Sequence, residues 1–312
     1  MGENMTTNFT NSTTECPNYN RHQAGSYFFS MGLSAFCLNC ITILAIKRCS
    51  GYTKTTSILM IALCLLNLLQ CMLYAMYLGP NLLIGKDTDF TRTSLSRLTV
   101  GFWFYTSTGV HTLTAAQRFC LFASKVWHQR LFRSETTVKV ISLLCAVTLA
   151  YLLIARLVWG TGYFDVCQLR WIGYQGLSTG LGQFVHRLGN LVQGSLLLST
   201  LLFYVLLVVV VKLRQKYKSE FSSNSVGHRD ISITVQMVII VLLRVACLIL
   251  YAFLIQAVSH YDRLVVLLIF ESTKLGMILA DPLIFIVASE ELRRSLTMLM
   301  LRSTKVSAVT AT

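Results

Sequence analysis

The sequence predicts an all-α membrane protein, a seven-transmembrane helix bundle with a short amphipathic eighth helix. Of the 312 residues, 54% are apolar and mean hydropathy is +0.61. The apolar residues gather in runs of about 20, the length that crosses a bilayer. Basic residues collect between alternate runs, as the orientation of membrane helices requires. The spans read as 26 to 47, 57 to 79, 96 to 122, 138 to 160, 188 to 212, 231 to 257 and 263 to 287. Residues 1 to 25 form an external tail, 26 to 287 the membrane domain, and 288 to 312 an amphipathic helix with a cytoplasmic tail.

A net charge of +14 could suggest nucleic acid, but the placement of the charge argues otherwise. Segments 47 to 54, 118 to 139, 212 to 229 and 293 to 305 hold seventeen of the 27 Lys and Arg. The positive-inside rule makes that side cytoplasmic and puts the N-terminus outside. The basic surplus is thus topology and contact with anionic membrane lipid, and no nucleic acid is expected.

The external tail carries three glycosylation acceptors, Asn4-Met-Thr, Asn8-Phe-Thr and Asn11-Ser-Thr. No basic segment and short apolar run precede them, so the first span is expected to act as the insertion signal. Cys16 and Cys167 are the two of ten cysteines in external segments, where the compartment is oxidising. A bridge between them and two free thiols both satisfy the sequence.

Along the spans, polar residues stand out. Asn39 and Asn67 lie near mid-membrane in the first and second spans, where buried amides need hydrogen-bond partners: each other, Asp281, or nearby backbone carbonyls. The third span opens on Phe102-Trp-Phe-Tyr105, passes His111 and leaves at Gln117-Arg118-Phe119. His111 reads as a hydrogen-bonded interior residue, since no second ligand stands at metal spacing on that helix. Arg118 alone reads as a snorkelling anchor at the inner boundary. Span six carries Arg244, too deep to snorkel, with Glu271 as the expected partner in depth.

Span seven is the most informative. Glu271, Lys274, Ile278, Asp281, Pro282 and Phe285 fall on one helical stripe. Glu271 and Lys274 can pair on it. Asp281 lies ~10 Å farther along the axis, so its partner should come from another helix.

The chain resembles rhodopsin-type G-protein-coupled receptors and is similar in detail to the nematode serpentine chemoreceptors, in particular the class X group. The resemblance rests on Asn39, on Leu63 and Asn67, on Gln117-Arg118-Phe119 in place of acidic-Arg-Tyr, and on Trp127-His-Gln-Arg-Leu-Phe132. Asp281-Pro-Leu-Ile-Phe285 stands in place of Asn-Pro-x-x-Tyr, and Ser289 to Leu296 resembles the eighth helix. It covers roughly residues 26 to 301. The departures are specific: spans five and six lack the family's prolines, and no cysteine stands at the outer end of span three, which leaves Cys16 as a substitute partner for Cys167.

The resemblance implies a receptor for a small external ligand, odorant-like or acidic, that signals through a heterotrimeric G protein. Gln117, Arg118 and Phe119 would couple to the G protein. Asn39, Asn67, Asp281, Pro282 and Phe285 would form the polar switch, with the family's carboxylate moved from span two to span seven. Neutral Gln117 removes the ion pair that restrains the family's Arg, so elevated basal signalling is expected. Tyr77, Phe104, Arg156, Arg244, Tyr251, Glu271 and Lys274 are the candidate ligand-binding residues, although these charges could simply neutralise one another. Val100 stands where amine receptors carry Asp, which disfavours an amine. No HExxH, Walker, GxSxG or paired CxxC motif occurs, so neither an enzyme nor a cofactor is expected. A seven-span transporter or channel is the competing reading, since it too would carry intramembrane charges.

Overall fold

The computed structural model describes residues 19–49, 52–85, 95–159, 163–165, 170–172, 179–217, 235, 238–247, 249–250 and 263–298. The glycosylation acceptors Asn4, Asn8 and Asn11, the cysteines Cys16 and Cys167, and Tyr251 lie outside them.

The elements in order are α1 (Tyr19–Arg48), α2 (Lys54–Met72), a π-helical segment (Leu73–Leu78) and α3 (Gly79–Ile84), which together make the second span. Then follow α4 (Leu95–Ala123), α5 (Lys125–Leu131) and α6 (Ser134–Trp159). A short antiparallel hairpin, β1 (Tyr163–Asp165) with β2 (Arg170–Ile172), pairs Phe164 with Trp171 in the loop before α7 (Gly180–Tyr217). The sixth span is described over α8 (Val238–Cys247); α9 (Arg263–Ala288) and α10 (290–298) complete the chain.

Helices overrun the expected spans. The 38 residues of α7 make about 57 Å of helix, well beyond a hydrocarbon core of about 30 Å. Four described helices are long and apolar enough to cross a membrane by composition alone: Arg21–Arg48, Lys54–Ile84, Ser134–Val158 and Gly180–Leu213. In α9 the charges Glu271, Lys274 and Asp281 interrupt the apolar run, and all three are buried. The polar residues of α4 (Thr106, Ser107, Thr108, His111, Thr114 and Gln117) are buried as well. Both helices spend their polarity inward, because each unsatisfied polar group in hydrocarbon costs several kcal/mol.

Two prolines shape the second and seventh spans. Pro80 stands near the start of α3, and its ring would collide with the carbonyl four residues earlier in a regular helix. The π turns of Leu73–Leu78 widen the helix there and turn Tyr74 into the core. The first span closes against that segment through Gly32, where a Cβ would come within 2.9 Å of the Tyr74 Cβ. Pro282 sits inside α9 with no N–H to give, which frees the Ile278 carbonyl. The Asn67 side-chain amide donates to that carbonyl from α2 at 3.4 Å.

The eighth helix is amphipathic. Leu292 and Leu296 are buried, whereas Glu290 and Arg294 pair on the exposed face. Ser289 caps it by accepting from the Leu292 N–H, and the same hydroxyl meets Tyr52 at 2.5 Å. Ser295 donates to the Ala45 carbonyl, so α10 docks on the C-terminal end of α1.

Candidate functional site

Asp281 is the centre of a buried ionic cluster that joins four spans. Arg244 of α8 donates from Nη2 to Asp281 Oδ2 at 3.1 Å, and Asn67 of α2 donates to the same oxygen at 3.0 Å. His111 of α4 places Nε2 3.6 Å from Asp281 Oδ1. Trp103 donates its indole N–H to Asn67 Oδ1 at 2.9 Å, and its ring lies 6.0 Å from the Arg244 guanidinium carbon. Ser107 accepts from Arg244 Nη1 at 3.1 Å. Trp103, Ser107 and His111 repeat at four-residue spacing, so one face of α4 supplies all three.

The expected Arg244 to Glu271 pair is therefore corrected to Arg244 to Asp281. Side chains on a helix lean toward its N-terminus. On antiparallel neighbours that lean acts in opposite directions, so positions matched by depth along the axes need not meet: Arg244 reaches Asp281, and Glu271 pairs on its own helix. Glu271 instead forms a second cluster, accepting from Lys274 Nζ at 2.8 Å and from the Tyr74 hydroxyl at 2.5 Å. Beside it, Tyr27 of α1 donates to Ser272 at 3.0 Å.

A third group lies where the C-terminal end of α4 meets the start of α2. Arg118 is 1% exposed, so it is not a snorkelling anchor. Its Nη2 and the Gln117 side-chain amide both donate to Thr56 Oγ1, at 3.2 and 3.3 Å, while Thr56 meets Thr53 at 2.8 Å. Gln117 also contacts His128 Nε2 of α5 at 3.3 Å, and Phe119 packs on Phe203 of α7. Thr56→Val keeps the shape and removes the shared acceptor. Ligand-independent signalling per surface receptor is expected to rise in that variant; an unchanged basal level would show that Thr56 restrains nothing.

A small cavity adjoins the central cluster, lined by Phe104, Thr108, His111, Leu197, Thr200, Val241, Arg244 and Met277. It encloses about 20 Å³, the scale of one water-sized group, and about 340 Å³ with its mouth included. Of the seven candidate ligand residues, Phe104 and Arg244 line it. Glu271 and Lys274 sit in the separate second cluster, Tyr77 lies 37% exposed in the π segment, and Arg156 is exposed near the end of α6. None of those four lines the cavity.

The polar residues group differently from the expectation in one further respect. Asn39 donates to the Ala35 carbonyl of its own helix at 2.9 Å and makes no hydrogen bond to Asn67 or Asp281. Pro282 and Phe285 are buried beside Asp281 on α9. Sequence reasoning passed over Thr56, Ser107 and the Trp103 to Asn67 bond. The stripe 103, 107, 111, 114, 118 on α4 is the signal that could have found the last two.

Seven helical spans pack around a buried polar axis, with an eighth helix laid across one end of the bundle, and with the family match over residues 29–288 they place the chain among the G-protein-coupled receptors. The fold is similar to that in the crystal structure of squid rhodopsin, with a TM-score of 0.75 at 10% identity, covering 93% of this chain and 87% of that one. Residues 29–288 match the family described as serpentine type 7TM GPCR chemoreceptor Srx, and the chain belongs to that family. Comparison with proteins of curated function gave no match.

Proposed function

We propose that this multi-pass membrane protein is a chemosensory receptor at the plasma membrane, with its glycosylated N-terminus outside, that reports a small external ligand to a heterotrimeric G protein. The observation that carries the reading is the pairing of Arg244 with Asp281 next to the cavity. That bond ties the sixth span to the seventh at mid-membrane. A ligand that favours the state in which they separate shifts the population toward it, and span six moves outward at the cytoplasmic face. Arg118 then leaves Thr56 and meets the G protein, flanked by Gln117 and Phe119.

Asn67, Asp281, Pro282 and Phe285 form the switch between cavity and cytoplasmic face. Asn39 supports it from the first span without a direct bond. Cys16 and Cys167 are candidates for an external bridge that would fix the loop over the ligand site.

The test is a second-messenger assay of wild type and Arg118→Ala against a chemical library. The variant is expected to reach the surface at wild-type level and to lose nearly all ligand-driven signal. Substrate flux that survives in Arg118→Ala, with no second messenger in either protein, would establish a transporter instead.

A further inference from the structure

The cavity beside Asp281 holds more polar capacity than the protein uses. Arg244 Nε and both ring nitrogens of His111 are buried without a hydrogen-bond partner among the described residues, and so is Asp281 Oδ1. The Arg244 to Asp281 contact is a single bond from Nη2. A guanidinium presents Nε–H and one Nη–H along the same edge, and a carboxylate engages that edge best with two parallel bonds. Half of that edge is unused here. Thr108 and Thr200 add hydroxyls to the wall; the enclosed space admits a head group alone, and a short hydrocarbon body would lie in the mouth of the cavity, whose lining includes the apolar Phe104, Leu197, Val241 and Met277.

We infer that this slot takes the head group of a short-chain carboxylic acid, which enters neutral, gives its proton to His111, and replaces Asp281 as the counter-ion of Arg244. The inference rests on the receptor reading above and adds to it the class of ligand and the way it opens the switch.

The step balances. The acid's O–H bond breaks, the proton goes to Nδ1, the ring nitrogen that does not face Asp281, and no other covalent bond changes. One ion pair becomes two: ligand carboxylate with Arg244, and imidazolium with Asp281 through the existing 3.6 Å approach of Nε2 to Oδ1. The net charge in the membrane stays at zero, which a carboxylate entering alone would not allow. The ionisable groups facing His111 are Asp281 on α9 and Arg244 on α8. From α2 the cluster receives Asn67 and, near Asp281, the Cys64 thiol; α7 contributes Thr200 to the cavity. No other charge competes for the proton among the described residues. Span six, freed from span seven, is then held by the ligand.

The test uses the full-length protein in lipid nanodiscs with butanoic acid, butanamide and butan-1-ol as probes of one size. Binding is read as the ligand-induced shift in thermal unfolding. The ionisation of bound acid is read by infrared difference spectroscopy with a ¹³C-labelled carboxyl group, at a pH near the acid's own pKa. Expected are stabilisation by the acid and by neither neutral probe, a bound label wholly in the carboxylate form, and affinity weakened about tenfold or more in Arg244→Gln and in His111→Gln.

Butanamide binding as tightly as the acid, a bound label that stays protonated, or no binding by the acid would each overturn the proposal. The infrared signature needs only wild type, so a variant that fails to fold leaves it decidable. If the acid binds with this signature and no second messenger changes, it is the receptor reading that fails and the site that stands.

Discussion

Replacing Arg244 with Met is expected to cost about 3–5 kcal/mol, because Asp281 becomes a carboxylate buried inside the bundle without its cation. Asn67 would still donate to Oδ2, but an amide does not neutralise a charge. The measurable result is a large drop in the unfolding temperature of purified protein, or retention inside the cell. Adding Asp281→Asn in the same molecule removes the orphaned charge and should restore most of the loss, since a buried pair replaced as a whole is often close to neutral. Such a double variant is expected to be stable yet deaf, because its sixth and seventh spans no longer share the ionic bond on which the proposed ligand response depends. If Arg244→Met alone is as stable as wild type, Asp281 has another counter-ion and the cluster has been misread.

The second large effect concerns the exchange of Asn67 and Asp281. Asn67→Asp alone places two carboxylates within about 3 Å, and one guanidinium cannot serve both without a heavy penalty. Asp281→Asn alone removes the negative partner of Arg244. With both changes the amide and the carboxylate trade places across a contact of 3.0 Å. Trp103 can still donate to residue 67, whose side chain shares with Arg244 the contact to Asp281 Oδ2. The doubly exchanged receptor is expected to retain more ligand-driven signal per surface molecule than either single variant. A double variant no better than the worse single one would mean that the carboxylate must stand on span seven itself.

The bundle was legible in the sequence because it rests on a quantity that sums over many residues, the span-length apolar runs. That Asp281 and Pro282 face protein was legible for a related reason, since each is costly in hydrocarbon on its own terms. Partner choice was harder. Arg244 was matched to Glu271 by depth, counted along straight helices from the membrane edges. That count omits the lean of side chains toward the helix N-terminus, which acts in opposite directions on antiparallel neighbours. Thr56 was invisible for another reason: a threonine at a helix start reads as a cap, as Thr53 indeed is, and nothing in its spacing announces two donors arriving from a distant helix. Asn39 shows the converse, an amide at the right depth that closes on its own backbone because Ala35 lies one turn away.

The carbonyl left open by Pro282 gives the seventh span an unusual mechanical property. In an ordinary helix, resistance to bending is set by bonds internal to it. At Ile278 the missing internal bond is supplied by Asn67, whose other contacts are Asp281 and Trp103. The stiffness of α9 at its weakest point is therefore a property of α2 and α4, and whatever displaces Asn67 loosens a helix that it does not belong to. The second span works here as a clutch, engaged or released by a single amide.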